Sequence, residues 1–163
     1  DSKGTAYKED GMNFNEMYKI KKETGSVVNY KGSKRKESHE IVHVNADILI
    51  TAAIPDLIKS SDVDKMKFSL IAEGSNIPMS IETEELLHNK GVLIIPDIIA
   101  NAGGVISSYV EYIGGSEEQM FRTVEEKITK NVKHMLELSR DENIIPREAA
   151  LKIAKKRVSE GKK

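Results

Sequence analysis

Three short loops and one histidine pair hold the residue types in this sequence that could do chemistry. The first loop, Pro96-Asp97-Ile98-Ile99-Ala100-Asn101-Ala102-Gly103-Gly104-Val105, follows the apolar run Gly91-Val92-Leu93-Ile94-Ile95. The Asn101 carboxamide can both donate and accept hydrogen bonds, and the adjacent glycines admit a ligand or a neighbouring backbone closely. The second loop, Glu73-Gly74-Ser75-Asn76, ends another apolar run. Its glycine suits a tight turn, and Asn76 can hold a sugar hydroxyl or cap the next element. The third, Thr51-Ala52-Ala53, has side chains small enough for a flat ligand to lie against the backbone. If all three loops end parallel strands of one sheet, they share the crevice where open α/β sheets bind ligands.

The histidine pair is His39-Glu40-Ile41-Val42-His43, which matches H-E-x-x-H. On a helix this spacing puts two imidazoles on one face for Zn²⁺, with Glu40 as the general base of a hydrolase. The longer metzincin pattern fails, because Ala46 replaces its glycine and Leu49 its third histidine. Glu73 is a candidate third ligand. The apolar Ile41-Val42 step and the strand that follows almost at once suit a solvated helical turn, so no metal site is expected.

These loops need strands and helices to hold them. Residues 46–51, 67–72 and 92–95 read as buried strands, and Val27-Val28-Asn29-Tyr30 as a shorter one. Asn13 is an N-cap with Glu16 at the N3 position of a capping box, Met12 and Met17 form a hydrophobic staple, and Gly25 stops the helix. Ser80 caps a helix that Gly91 ends. A helix over 106–113 follows the Asn101 loop. Ser116 with Gln119 opens a long helix bearing Met120, Phe121, Val124, Ile128, Val132 and Met135 at spacings of three or four. Pro146 begins a last helix with Ala149, Ala150, Ile153, Ala154 and Val158, which ends near Gly161 in a frayed tail. The expected fold is an α/β, Rossmann-like parallel sheet with helices on both faces, followed by helices over about 116–160.

Composition narrows the function. With 25 basic and 26 acidic side chains the net charge is −1, which gives no basic footprint for nucleic acid and none for a membrane surface. No apolar run approaches the length of a membrane span. The absence of cysteine excludes disulfides and thiolate chemistry and fits a cytoplasmic protein. There is no G-x-G-x-x-G and no phosphate loop.

In order along nearly the whole chain, Asp1-Ser2-Lys3-Gly4, Asp10-Gly11, Ala46 to Ile50 with Ala52-Ala53, Ile71 to Asn76, Gly91 to Asp97, Ala100 to Val105 with Ser108-Tyr109 and Glu111, and Arg147-Glu148-Ala149-Ala150 resemble the glutamate/leucine/phenylalanine/valine dehydrogenase family. The stretch resembled is its nucleotide-binding domain. The resemblance implies an NAD- or NADP-dependent oxidative deamination of an amino acid, of glutamate type, to a 2-oxo acid and ammonium. It implies that Asp1 and Ser2 lie near the adenosine ribose and that Ala52 and Ala53 line the cofactor groove. Asn76 would hold the nicotinamide-side ribose, and Asn101 would lie beside nicotinamide and substrate. Val105 and Ser108 would touch the substrate side chain, with Ser108 donating to a distal carboxylate.

The family's catalytic lysine and aspartate belong to a separate domain with no counterpart here, so no catalytic residue is assigned to this chain. Thr51 stands where the family usually has proline. The expectation is a single partial dinucleotide-binding domain, 1–163, from a longer enzyme that is a homo-oligomer, with weak or absent cofactor binding by this chain alone. A non-catalytic remnant that binds a partner is the alternative, and a zinc hydrolase a minor one.

Overall fold

A computed structural model describes residues 1–161; Lys162 and Lys163, where the frayed tail was expected, lie outside the described residues. Three parallel strands form the central sheet in the order β3 (Ile48–Thr51), β4 (Leu70–Glu73), β5 (Leu93–Ile95). Side chains alternate across such a sheet. Leu49, Ile71 and Ile94 stand side by side in the register and enter one core with Val42, Ile58, Val63, Phe68, Met79 and Leu87. Leu87 comes from α2 (Ile81–Asn89), whose first turn is capped by Ser80 accepting from the Thr83 N–H. On the opposite face, Ile95 packs against a second core of Ile99, Met135, Ala149, Ala150 and Ile153. Those residues come from α3 (Asp97–Ala100), α5 (Glu117–Glu142) and α6 (Pro146–Glu160). Between α3 and α5 lies α4 (Gly103–Tyr112).

Helices thus cover both faces at β5. At β3 the second face is bare: Ile48 is 58% exposed and Ile50 66%. Parallel strands normally bury both faces, so two exposed isoleucines here depart from the usual pattern. Phe121 and Val158, expected in the core from their helical spacing, are also exposed, because only the parts of α5 and α6 near Met135 and Ile153 meet the sheet.

The first 45 residues depart most from the sequence expectation. Val27–Asn29 is a 3₁₀ turn and not a strand. Ser26 Oγ accepts from the Val28 N–H, and the Asp1 carboxylate accepts from Ser26 Oγ and the Val27 N–H. These local bonds offer the backbone partners that a sheet would otherwise supply, and they outweigh the β preference of Val-Val. A two-stranded antiparallel pair, β1 (Thr5–Tyr7) with β2 (Lys34–Lys36), was not foreseen, since Lys34-Arg35-Lys36 shows no apolar alternation. Helix α1 (Phe14–Thr24) starts at Asn13, whose Oδ1 accepts from the Glu16 N–H, and ends at Gly25 in the left-handed region, φ 74°. The capping box is not closed directly. The Tyr30 hydroxyl accepts from the Asn13 N–H and donates to the Glu16 carboxylate, so a tertiary contact completes the cap.

The two faces of the sheet make different demands. Leu87→Ala, which opens a hole in the first core, is expected to cost about 2–5 kcal/mol in urea unfolding. Ile50→Ser on the bare face is expected to stay within about 0.5 kcal/mol.

Candidate functional site at the carboxyl edge of the sheet

The register pairs Thr51 with Glu73, so the loops after β3 and β4 leave the sheet together. They interlock at once. The Ser75 N–H donates to the Thr51 carbonyl at 2.5 Å and Ser75 Oγ to the Ile54 carbonyl at 3.2 Å. A Cβ on Gly74 would stand 3.1 Å from the Thr51 carbonyl oxygen and 3.4 Å from the Ala52 Cβ, so only glycine leaves this approach unstrained. The third loop joins through side chains: Asn101 Nδ2 donates to Asn76 Oδ1 at 2.5 Å. Ala52, Asn76 and Asn101 therefore belong to one rim, as the shared crevice requires. Asn101 arrives there as the residue that ends α3, directly before α4.

A groove of about 870 Å³ runs from Thr51, Ala52 and Ala53 towards the chain start; Asn76 and Asn101 stand outside its lining. Asp1, Ser2, Ala52 and Ala53 all line it, and Met12, Met17, Ile41 and Ile50 make it mostly apolar. The Asp1 carboxylate is already engaged: it accepts from Lys21 Nζ at 2.6 Å, from Ser26 Oγ, and from the backbone N–H groups of Lys3 and Val27. Val105 and Ser108 are on the exposed side of α4; Val105 is 77% exposed, and Ser108 Oγ donates back to the Gly104 carbonyl. Neither lines the groove.

A buried ionic cluster under the rim was missed from the sequence. Arg147, in the first turn of α6, donates from Nη2 to Glu73 Oε2 at 2.8 Å and from Nε to Glu84 Oε1 at 2.6 Å, and its Nη2 stands 3.0 Å from Asp97 Oδ1. Glu73 Oε2 also accepts the Asp97 N–H, while the Asp97 carboxylate accepts the Ile77 and Ile98 N–H groups. One cation thus fixes the end of β4, the start of α3 and the turn after Asn76. The available signal was an arginine just ahead of the apolar Ala149-Ala150 step, which rotates it towards the core.

Burial, with the neighbouring Glu84 carboxylate second, pushes the Glu73 carboxyl up to about 8. Its Oε1 is buried without a partner, which disfavours the charged form further. Burial also opposes ionisation of Asp97, but the Ile77 N–H and Arg147 outweigh it and hold that carboxyl below its usual range. Of Glu73 and Asp97 on this guanidinium, Glu73 is therefore the one that keeps its proton near neutrality.

The histidine pair lies on a 3₁₀ turn, Ser38–His43, rather than an α-helix. His39 Nε2 and His43 Nε2 are 3.0 and 2.8 Å from the same atom, Asp62 Oδ1. Asp62, and not Glu73, is thus the third group the fold brings to these histidines. Glu40, the base of the hydrolase reading, is engaged with Lys36 Nζ and the Glu37 N–H.

Comparison with known proteins agrees with the ordered series of rim motifs. The model of the Glutamate/Leucine/Phenylalanine/Valine dehydrogenase family matches residues 1–163, and the chain belongs to that family. It is 38% identical to a glutamate dehydrogenase of Aeropyrum pernix over 97% of this chain and 40% of that protein. It is 37% identical to an NADP-specific glutamate dehydrogenase of Saccharolobus shibatae over 77% of this chain and 31% of that protein. The hetero-hexameric glutamate dehydrogenase of Thermus thermophilus shares the fold, with a TM-score of 0.80 at 23% identity, over 94% of this chain and 38% of that one. The chain therefore spans at most about 40% of the length of these relatives.

The buried cluster makes two measurable demands. Arg147→Met leaves buried carboxylates uncompensated and is expected to cost about 3–5 kcal/mol by chemical denaturation. A carboxyl whose folded value is raised binds its proton more tightly in the native state. Its stabilising contribution is full below about 4.5 and is lost as pH rises towards 8. The urea midpoint is expected to fall between pH 5 and 8 in the natural chain, and Glu73→Gln is expected to flatten that fall.

Proposed function

We propose that residues 1–163 are a partial nucleotide-binding domain of an NAD- or NADP-dependent amino-acid dehydrogenase of glutamate type, and that the rim is where the nicotinamide end of the cofactor is held. The Asn76–Asn101 contact carries this reading, because it gathers two exposed-edge carboxamides beyond adjacent parallel strands, where dinucleotide folds bind. The residues fit such a group at this end. Ala52 and Ala53 leave the groove wall flat, Gly74 lets the chains close up, and the carboxamides offer donors and acceptors to a ribose or a carboxamide ring substituent.

A bound nicotinamide would supply a hydride acceptor for the substrate Cα, the chemistry that turns an amino acid, by way of an imine and its hydrolysis, into a 2-oxo acid and ammonium. In this reading Asn76 orients the ribose, Asn101 separates cofactor from substrate, and Val105 and Ser108 meet the substrate side chain from α4. Ser108 gives up its bond to Gly104 to donate to a distal carboxylate. Asp1 and Ser2 meet the adenosine ribose, with Lys21 and Ser26 holding the Asp1 carboxylate in place. Groups that deprotonate the amine are assigned to another part of a longer enzyme, which acts as a homo-oligomer in the cytoplasm. The bare Ile48–Ile50 face favours a second reading, in which this domain is non-catalytic and docks on a partner chain.

By calorimetry, the 163-residue chain is expected to bind NAD and NADP no tighter than about 100 μM, since the sequence has no G-x-G-x-x-G turn to take the phosphates. Micromolar affinity would overturn the partial-domain reading. In a longer protein that contains this sequence, Asn76→Ala and Asn101→Ala are each expected to raise the cofactor KM about tenfold, the effect of losing one polar contact. Unchanged KM in both variants would remove the rim from the cofactor site.

A further inference from the structure

We propose that His39, His43 and Asp62 form a site for a borderline divalent transition cation, Zn²⁺, that ties the turn before β3 to the turn before β4. The inference is independent of the dehydrogenase reading.

The geometry comes from two separate segments. The turn Ser38–His43 presents both imidazoles, with ring centroids 5.6 Å apart and nearly perpendicular. Asp62 ends the turn Ser60–Asp62, and its side chain is 6% exposed. One oxygen, Oδ2, accepts the Lys59 N–H at 2.8 Å, which fixes the carboxylate plane. The other, Oδ1, is aimed at the two Nε2 atoms, and all three donor atoms lie within 4.8 Å of one another. Two imidazole nitrogens and a carboxylate are the donor set of open zinc sites, whereas magnesium and calcium take oxygen ligands. In a tetrahedral site with bonds of about 2.0–2.1 Å, ligand atoms stand about 3.3 Å apart. The observed 2.8 and 3.0 Å contacts to Asp62 would open by a few tenths of an ångström, and the two imidazoles, whose ligand atoms lie within 4.8 Å of each other, would turn to the same spacing.

The Lys59 bond supplies the outer support that orients a metal ligand. His39 is 48% exposed, so solvent reaches the remaining coordination position. This is a structural staple and not a hydrolase. Glu40 is tied to Lys36 and to the Glu37 N–H, so it is not free to activate a metal-bound water. The competing arrangement has both histidines as Nε2–H tautomers donating to Oδ1, with no ion.

The test is Zn²⁺ titration of the purified full chain, previously stripped with chelator, in competition with a chromophoric chelator at pH 7.5. One equivalent is expected to bind with a Kd on the order of 1 μM or tighter. His39→Ala, His43→Ala and Asp62→Asn are each expected to weaken it at least tenfold; the Asn variant keeps the bond to Lys59. Mg²⁺ is expected not to compete. Sub-stoichiometric binding by the natural chain, or equal binding by all three variants, overturns the proposal. Should a variant fail to fold, the Co²⁺-loaded natural chain decides. Two paramagnetically shifted exchangeable imidazole N–H signals, out of the four histidines present, support the site, and none or one refutes it.

Discussion

Arg147 is a cation in the first turn of a helix, where the helix dipole opposes it. It is stable there because Glu73, Glu84 and Asp97 surround it. Much of the site geometry depends on that cluster. Glu73 ends β4 immediately before the Gly74 turn, Asp97 starts the helix that delivers Asn101, and Glu84 ties α2 to α6 through Arg147. The cluster also joins the two cores, since Glu84 lies on the same helix as Leu87, while Arg147 lies two residues before Ala149. A buried cluster of this kind adds little net stability over an apolar equivalent, but it fixes the angle between the elements it joins.

The rim above it is rigid near the sheet and open away from it. Ser75 is bonded to both Thr51 and Ile54, and Gly74 is packed against Ala52, so the first two loops move as one piece. The third loop joins through the exposed Asn76–Asn101 contact and, beneath it, through Asp97, which bonds to Glu73 and to the Ile77 N–H. The backbone beneath is tight, and the two carboxamides at the exposed edge pair with each other. The apolar groove beside it and the bare face of β3 belong to the same region, on the opposite edge of the sheet from β5.

Sequence and structure agree best where signals are local or periodic. The caps at Asn13, Ser80 and Ser116 and the helix start at Pro146 appear where expected, because these signals depend on a few neighbouring residues. Strands β3 to β5 fall within one to three residues of their expected positions. The failures share a cause as well. The Val27-Val28 run became a 3₁₀ turn because Asp1, distant in sequence, supplies its hydrogen bonds. Phe121 and Val158 follow the helical period but lie beyond the reach of the sheet. The capping box at Asn13 is completed by Tyr30, which no local pattern encodes.

The caps and the alternation of apolar runs specified the parallel sheet, since these depend on spacing along the chain, while the family followed from the resemblance of the ordered loop motifs. Folding alone decided which polar residues meet. Arg147 finds Glu73 from 74 residues away, and Asp62 finds His39 and His43 from 23 and 19. Ion pairs and shared hydrogen bonds act over a few ångströms in space with no preferred separation in sequence, so only the packed chain can bring such groups together.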